Sequence, residues 1–234
     1  DFYLDDLNAK VLVVEQGSDS PALEIAKKRN IPILTLIADQ SGPAGNFTLE
    51  GDGVGAPVTN GGMAEPDDVA LVLHTSGTTS RPKIVPLTQR NVAASARHIG
   101  ASLNLVNADK CLNIMPLFHI HGLIAAVLSS LGAGASVHCA PGFNALRVFN
   151  WLDEIEPSWY TAVPTMHQTI LARAARNPES VQRARKNLRL IRSSSSSLPP
   201  QVMQELEETF DVPVVEAYGM TEAAHQMTSN PLPP

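Results

Sequence analysis

Residues 69–83 read VALVLHTSGTTSRPK, an apolar run followed at once by a polar segment rich in hydroxyls. The run from Val69 to His74 is typical of a buried strand. The pattern after the segment, with apolar residues spaced from Val92 to Leu103, predicts a helix. A strand that leads through a polar loop into a helix is the connection found in parallel sheets, so this stretch predicts an α/β fold.

The loop itself, residues 75–83, combines five hydroxyls, one glycine, two cations and a proline. Hydroxyls and backbone N–H groups can hold phosphate oxygens while Arg81 and Lys83 offset their charge. In parallel sheets, ligands gather beyond the carboxyl ends of the strands, which is where this loop lies. The G-x-x-x-x-G-K-[ST] pattern is absent, so the loop does not indicate a P-loop nucleotidase. A plain polar turn is the alternative interpretation.

Short β-branched runs alternate with helical patterns on both sides of this stretch, which predicts mostly parallel sheets with flanking helices. Strands are predicted at Val11 to Val14, Ile31 to Ile37, Cys111 to Met115, Ala135 to Ala140, Trp159 to Val163, Leu188 to Arg192 and Pro213 to Ala217. Helices are predicted at Pro21 to Arg29, Gly122 to Leu131, Ala145 to Ile155, Thr165 to Arg176 and Pro199 to Phe210. A loop rich in Gly, Pro, Asn and Asp at 39–68 separates residues 1–62, part of a preceding α/β subdomain, from residues 63–234.

Composition narrows the class of protein. The chain has 234 residues, 44% of them hydrophobic, a formal net charge of −6 and a pI near 5.6, which exclude the basic footprint of a nucleic-acid binder. No apolar run approaches the roughly 20 residues that span a bilayer, and no signal peptide is visible. Two cysteines, Cys111 and Cys139, suit a reducing compartment. We expect a soluble, cytoplasmic protein, or a peroxisomal one if it is eukaryotic.

Three further segments follow predicted strands: PLFHIHG at 116–122, RSSSSSL at 192–198 and YGMTE at 218–222. His119 and His121 could ligate a metal, but no third ligand lies at a suitable spacing. The wall of a substrate pocket is the better interpretation of this histidine pair.

The four segments, in this order, resemble the adenylate-forming superfamily of acyl-CoA synthetases, luciferases and adenylation domains. Within it, the chain is most similar to oxalate-CoA ligases. The resemblance implies the central part of the large N-terminal domain of such an enzyme, with residues 63–234 as the nucleotide-binding subdomain and the C-terminal lid domain absent. It implies that a carboxylic acid reacts with ATP, in the presence of Mg²⁺, to give an acyl-adenylate and pyrophosphate, and that the acyl group then passes to CoA. Without the lid and its lysine, the 234-residue chain alone is expected to be inactive.

The resemblance also implies roles for single residues. The triphosphate would be held by Thr75, Ser76, Gly77, Thr78, Thr79 and Lys83. The adenine and the α-phosphate would be bound by Ser195, Ser196, Glu216, Ala217, Tyr218, Gly219, Met220 and Thr221. Catalytic roles are implied for His119, which would close over the acyl carbonyl, and for Thr221 and Glu222, with Glu222 as the Mg²⁺ ligand. Ser80 and Ile84 stand where many members have glycine.

The acid substrate is predicted from polarity. A second carboxylate needs hydrogen-bonding partners when it leaves water, whereas fatty and aryl acids need an apolar tunnel. The chain offers polar groups at the expected acyl site, so we predict oxalate or another short dicarboxylate, bound by His119, His121, Ser194 and His225. A medium-chain or aryl acid CoA ligase, a carrier-protein adenylation domain and a non-catalytic nucleotide-binding module remain alternatives. The expected partners are the acid, ATP and CoA, with no nucleic acid and no membrane, and the oligomeric state is not predicted.

Overall fold

The computed structural model describes residues 1–55, 61–75 and 82–233 of the chain. Its contacts divide the chain into two compact units, Asp1–Met63 and Ala64–Pro234. No helix within the described residues is long and apolar enough to cross a membrane.

The first unit is a small α/β arrangement. Its elements are α1 (Phe2–Asp6), β1 (Leu12–Glu15), α2 (Ala22–Lys28), β2 (Ile33–Ala38) and β3 (Phe47–Gly51). Strand β2 lies between the others, parallel to β1 and antiparallel to β3. The sequence-based interpretation of 39–68 as a loop was therefore wrong at β3, because the surrounding Gly, Pro and Asn residues masked a strand that pairs with β2.

The second unit is built on a six-stranded sheet in the order β11-β10-β9-β8-β6-β7. Its strands are β6 (Lys110–Asn113), β7 (Ser136–Cys139), β8 (Trp159–Ala162), β9 (Leu190–Ser193), β10 (Val214–Met220) and β11 (His225–Ser229). All neighbours are parallel except β11, which runs antiparallel to β10. The predicted α/β fold with a mostly parallel sheet is confirmed.

Helices connect and cover these strands. They are α3 (Gln89–Ser102), a π-helix (His121–Leu128) that continues into α4 (Ser129–Gly132), α5 (Val148–Ile155), α6 (Pro164–Ala174), α7 (Pro178–Asn187) and α8 (Pro200–Phe210). Three of them begin with proline, whose fixed φ and missing N–H suit the first turn. Helix α7 was not predicted, and the expected helix at 122–131 is a π-helix followed by a short α-helix.

A two-stranded ribbon replaces part of the predicted strand-loop-helix connection. Strand β4 (Val69–Thr75) pairs antiparallel with β5 (Lys83–Thr88) in a sheet of their own, as the two arms of a hairpin. Thr88 caps the start of helix α3: its hydroxyl accepts from the Asn91 N–H while the Asn91 side chain accepts from the Thr88 N–H. The hairpin brings Thr75 directly opposite Lys83.

The six-stranded sheet is buried on both faces. Because side chains alternate along a strand, consecutive residues enter opposite cores. One core contains Leu112, Tyr160, Ile191, Val214 and the inner faces of α5 to α8. The other contains Cys111, Trp159, Leu190, Val215 and residues of α3 and the π-helix. This three-layer arrangement fixes the strand ends from which the site is built.

The buried carboxylate of Asp109 holds the starts of strands β6 and β9 together. Asp109, only 3% exposed, accepts two hydrogen bonds of 2.7 Å from the Arg189 guanidinium and one from the Ser158 hydroxyl. Arg189 also donates to the carbonyls of Leu103 and Asn104 at the end of α3. The ion pair thus ties the α3–β6 turn to the entry of β9.

We predict that Asp109→Ala lowers the free energy of unfolding of the full-length protein by about 3 kcal/mol, because it leaves Arg189 without its partner at a mostly buried position. Asp153→Ala, which breaks the more exposed Asp153–Arg183 pair, should cost about 1 kcal/mol or less. Urea unfolding of both variants measures the difference, and equal losses would contradict the structural role given to Asp109.

Candidate functional site

Two neighbouring cavities open where β6, β9 and β10 end. The first, of about 440 Å³, is lined by Thr75, Lys83, His119, Ile120, Ser195, Gly219, Met220, Thr221, Glu222 and His225. The second, of about 460 Å³, is lined by Ser195, Ser196, Ser197, Glu216, Ala217, Tyr218, Gly219, Thr228 and Asn230. Ser195 and Gly219 line both, so the cavities meet at these two residues. Ligand sites are expected at this carboxyl edge of a parallel sheet.

The first cavity gathers chemistry from distant parts of the sequence. Thr75 and Lys83 reach it from the hairpin, and Thr221 and Glu222 reach it from a short 3₁₀ turn after β10. The hydroxyls and the ammonium group can meet phosphate oxygens, while the carboxylate can bind a cation. The remaining predicted loop residues, Ser76, Gly77, Thr78 and Thr79, lie outside the described residues.

Gly219 sets the junction of the two cavities. A Cβ added there would overlap the backbone carbonyl of His225, so only glycine lets β10 approach the start of β11 this closely. The pairing of β10 with β11 shifts register between Tyr218 and Gly219. Three non-glycine residues in this region have positive φ, namely Ser195 at 74°, Ala224 at 54° and His225 at 100°. Such strain is kept where surrounding contacts enforce it, and it concentrates at functional sites.

His119 faces the first cavity as a neutral imidazole. Its Nδ1 accepts a hydrogen bond of 3.1 Å from the His121 backbone N–H, which leaves the ring proton on Nε2. Burial lowers its pKa below the usual value. The Nε2–H of His119 is therefore available as a hydrogen-bond donor to a molecule in the cavity.

His121 lies behind the cavity wall and is fully buried. Its Nδ1 is 2.9 Å from Ser195 Oγ, and its Nε2 is 2.6 Å from Thr161 Oγ1 and 3.3 Å from Arg192 Nη1. Burial, followed by the charge of Arg192, lowers the pKa of His121. The prediction of direct substrate contact by His121 needs correction, because both of its ring nitrogens are bonded to protein groups.

Ser194 needs the same correction. Its hydroxyl donates to the Ala217 carbonyl at 2.8 Å, and the residue is fully buried between β9 and β10. The next residue, Ser195, is exposed and lines both cavities. Of these two serines, Ser195 and not Ser194 faces the cavities.

His225 lines the first cavity with one ring nitrogen unused. Its Nε2 is buried and finds no hydrogen-bond partner among the described residues, and its ring packs edge-on against His121 at 5.1 Å between centroids. Burial, followed by the charge of Arg192, lowers the pKa of His225 to about 3. Buried polar atoms are ordinarily hydrogen-bonded, so an unpartnered nitrogen in a residue that lines a cavity is expected where a ligand supplies the missing bond.

The second cavity has a different character. Tyr218 is 62% exposed and offers an aromatic face, and Ser196, Glu216, Ala217 and Gly219 line the same cavity. The Glu216 carboxylate accepts the Leu198 N–H at 2.7 Å, which holds the end of the serine run against β10. The cavity suits a flat, partly polar molecule.

Three polar residues behind the site were not singled out from the sequence, namely Arg192, Thr161 and Gln226. Arg192 lies fully buried beneath the first cavity, hydrogen-bonded to Thr161, and also to Gln226 at 3.0 Å. Its only sequence signal was its place in the predicted strand Leu188 to Arg192, in which arginines at 189 and 192 interrupt apolar residues. Within the described residues, no group of three or more His, Cys, Asp or Glu side chains could hold a metal by itself.

The sequence profile of the AMP-binding enzyme family matches residues 1–234. The chain belongs to this family. It is 46% identical over 236 residues to a protein of Arabidopsis thaliana named oxalate–CoA ligase, covering 100% of this chain and 45% of that protein. It is 37% identical over 258 residues to a protein of Saccharomyces cerevisiae with the same name, covering 100% of this chain and 46% of that one.

The fold of this AMP-binding enzyme chain also matches a solved relative. ATP-bound MatB from Rhodopseudomonas palustris superposes with a TM-score of 0.76 at 26% identity, covering 98% of this chain and 44% of that one. The chain thus spans less than half the length of the relatives it matches.

The buried side chain of His167 predicts that the stability of this family member depends on pH. Burial lowers the pKa of His167 to about 4, so between that value and the ordinary 6.5 the unfolded state binds a proton that the folded state does not. The free energy of unfolding therefore falls as pH decreases from 6.5 to 4, by up to about 1.4 kcal/mol per pH unit for this residue. His167→Gln should reduce that slope, measured by urea unfolding of the full-length protein at pH 7, 6 and 5.

The matched control is His98→Gln, which makes the same replacement at an exposed position of α3. Equal slopes in His167→Gln and the unchanged protein would contradict the buried neutral state of His167.

Proposed function

We propose that the chain forms the nucleotide- and acid-binding part of a longer, ATP-dependent acid–CoA ligase whose acid is oxalate or another short dicarboxylate. The observation that carries this proposal is the meeting of a phosphate-type cavity and an aromatic-faced cavity at Ser195 and Gly219. The 46% identity to a protein named oxalate–CoA ligase supports the same assignment.

The second cavity would receive the adenine. The exposed Tyr218 ring supplies an apolar face for stacking, and Ser195 and Ser196 are small enough to leave room on the other side. The backbone of Glu216, Ala217 and Gly219 would meet the polar edge of the base.

The first cavity would receive the phosphates and the acid. Lys83 and Thr75 are suited to the β- and γ-phosphates, with Ser76, Gly77, Thr78 and Thr79 continuing the same loop in sequence. Thr221, with Met220 beside it, would meet the α-phosphate. Donors held in place around the leaving pyrophosphate lower the barrier to its departure, because they need no reorganisation during the reaction.

Glu222 fits a Mg²⁺ ion. Magnesium commonly binds through one or two carboxylates, with phosphate oxygens and water completing its shell. A single carboxylate facing a phosphate-type cavity meets that requirement without a preformed cluster of protein ligands. When bound, the ion would neutralise charge on the phosphate oxygens.

The acid would lie between His119, Ser195 and His225. An acid oxygen attacks the α-phosphorus while the bond to pyrophosphate breaks, which gives the acyl-adenylate. The CoA thiol then attacks the acyl carbon and AMP leaves. His119 Nε2–H can hydrogen-bond the reacting carboxyl group, and Ser195 and His225 can meet a second carboxylate.

Polarity favours a dicarboxylate over the alternative acids. Among the described residues that line the first cavity, Ile120 and Met220 are the only large apolar ones. A medium-chain or aryl acid would need a longer apolar wall, since its burial is driven by apolar contact. A non-catalytic nucleotide-binding module would not need the unpartnered His225 nitrogen at the acid end.

We expect the full-length protein to release pyrophosphate faster with oxalate than with hexanoate or coumarate when ATP and CoA are present. His225→Ala should lower kcat/KM for oxalate by about ten- to a hundredfold, because one hydrogen bond to a charged group is lost, and should leave the KM for ATP within about twofold. His138→Ala, on the outer strand β7, serves as the matched control.

Two outcomes would contradict the proposal in different ways. Equal or better turnover of the apolar acids would overturn the dicarboxylate assignment. Nucleotide binding without pyrophosphate release for any acid in the panel would indicate the non-catalytic module.

A further inference from the structure

Arg192 carries a positive charge inside the protein without a compensating negative charge. Its side chain is fully buried, and none of the carboxylates in the described ranges forms an ion pair with it. Its Nε also lacks a hydrogen-bond partner there. Burying an unpaired guanidinium is costly, and an apolar residue would fill the same space without that cost. The charge therefore points to a role beyond packing.

All groups bonded to this guanidinium are neutral. Nη1 lies 3.3 Å from His121 Nε2 and 3.4 Å from Thr161 Oγ1, and Nη2 donates to Gln226 Oε1 at 3.0 Å. Gln226 is itself held by a 3.0 Å hydrogen bond from its amide nitrogen to Ser102 Oγ. The guanidinium is thus fixed in orientation while its charge remains unneutralised by these partners.

The donor and acceptor roles in the hydrogen bonds that run from Arg192 through His121 to Ser195 lead to the first cavity. Arginine only donates, so a proton on His121 Nε2 would face the Arg192 N–H, whereas Thr161 Oγ1, 2.6 Å away, can donate its own proton to an unprotonated Nε2. On this ground we assign the proton of the neutral imidazole to Nδ1. His121 Nδ1–H then donates to Ser195 Oγ, 2.9 Å away. Because the Ser195 oxygen accepts this bond, its own hydroxyl proton is free to point elsewhere. Ser195 lines the first cavity, so it can act there as a donor.

We propose that Arg192 is a positioning residue for an anionic group of the acid substrate, acting through His121 to make Ser195 a hydrogen-bond donor and adding an uncompensated positive charge beneath the first cavity. This inference rests on the proposed acid–CoA ligase function and deepens it. It assigns the preference for a second negative charge to a residue that does not touch the substrate.

The same charge affects the other side of the cavity. His225 packs on His121, and Arg192 is the second cause, after burial, of its lowered pKa. His121 and His225 stay neutral, so the positive charge assigned to the acid comes from Arg192, while Lys83 of the same cavity is assigned to the phosphates. A neutral histidine and a directed hydroxyl supply hydrogen bonds, while Arg192 supplies the charge that distinguishes a carboxylate from an uncharged group.

The test compares two planar molecules of the same shape in the full-length protein. Oxalate carries two carboxylates, and oxamate carries one carboxylate and one neutral amide. Arg192→Met should raise the KM for oxalate by about ten- to a hundredfold, with a smaller change in kcat. The inhibition constant of oxamate against oxalate and the KM for ATP should each change by less than about threefold, since neither depends on recognition of the second charge.

Two further variants separate charge from structure. Arg192→Lys keeps the positive charge and a donor, so it should recover part of the preference for oxalate over oxamate. Arg189→Met removes the neighbouring arginine that is paired with Asp109, and it should alter stability without altering that preference. If Arg192→Met does not fold, the folded lysine variant decides the question by the same ratio.

The outcomes distinguish this inference from the function on which it rests. Oxalate turnover by the unchanged protein, together with equal losses for oxalate and oxamate in the Arg192 variants or with no loss at all, would overturn the inference alone. An unchanged protein that uses monocarboxylic acids and rejects oxalate would overturn both.

Discussion

The site depends on the parallel register of the central strands, which brings their carboxyl ends to one edge of the sheet. Asn113, Thr161, Arg192 and Val215 lie side by side across β6, β8, β9 and β10. The chain leaves these strands only a few residues before it contributes His119, Ser195 or Glu222 to the cavities. Since side chains alternate along each strand, a shift of one residue in any of them would exchange the side chains that enter the two cores and displace the strand ends.

The serine run shows this sensitivity to register. Ser194 and Ser195 have the same chemistry, yet one is buried against Ala217 and the other lines both cavities. The positive φ of Ser195 turns the chain at this point, at a cost of about 1 to 3 kcal/mol. Gly219 imposes a steric constraint instead: because it lacks a side chain, it permits the close approach of His225. The rest of the parallel sheet holds these unfavourable conformations in place.

Much of the sheet could be predicted from the sequence, because strands β6 to β10 are short apolar runs separated by helical patterns. Strand β5 could not, since Pro86 and the adjacent polar loop argue against a strand, and the antiparallel ribbon tolerates this proline at its edge. Strand β11 has the polar sequence HQMTS and is defined only by its pairing with β10. The π-helix at 121–128 has a composition that does not distinguish it from an α-helix.

The residues of the site, like the strands, could be predicted only where their positions leave a signal in the sequence. The residues facing the cavities, such as Lys83, His119 and Glu222, stand in polar segments after apolar strands, which is a signal visible in the sequence. The residues behind the wall carry no such signal. Arginine is ordinarily exposed, so the buried position of Arg192 emerged only from the packing of β9 under His121 and Gln226. In our proposal, its charge lets neutral histidines and a hydroxyl favour an anion.

Acid-dependent exchange of labelled pyrophosphate into ATP tests the central claim most directly, because it reports formation of the acyl-adenylate without CoA. With the full-length protein, oxalate should support exchange at a rate well above that with hexanoate or with no acid. Exchange that does not depend on the added acid, or its absence with every acid when ATP is bound, would contradict the assignment of the two joined cavities to a nucleotide and a short dicarboxylate.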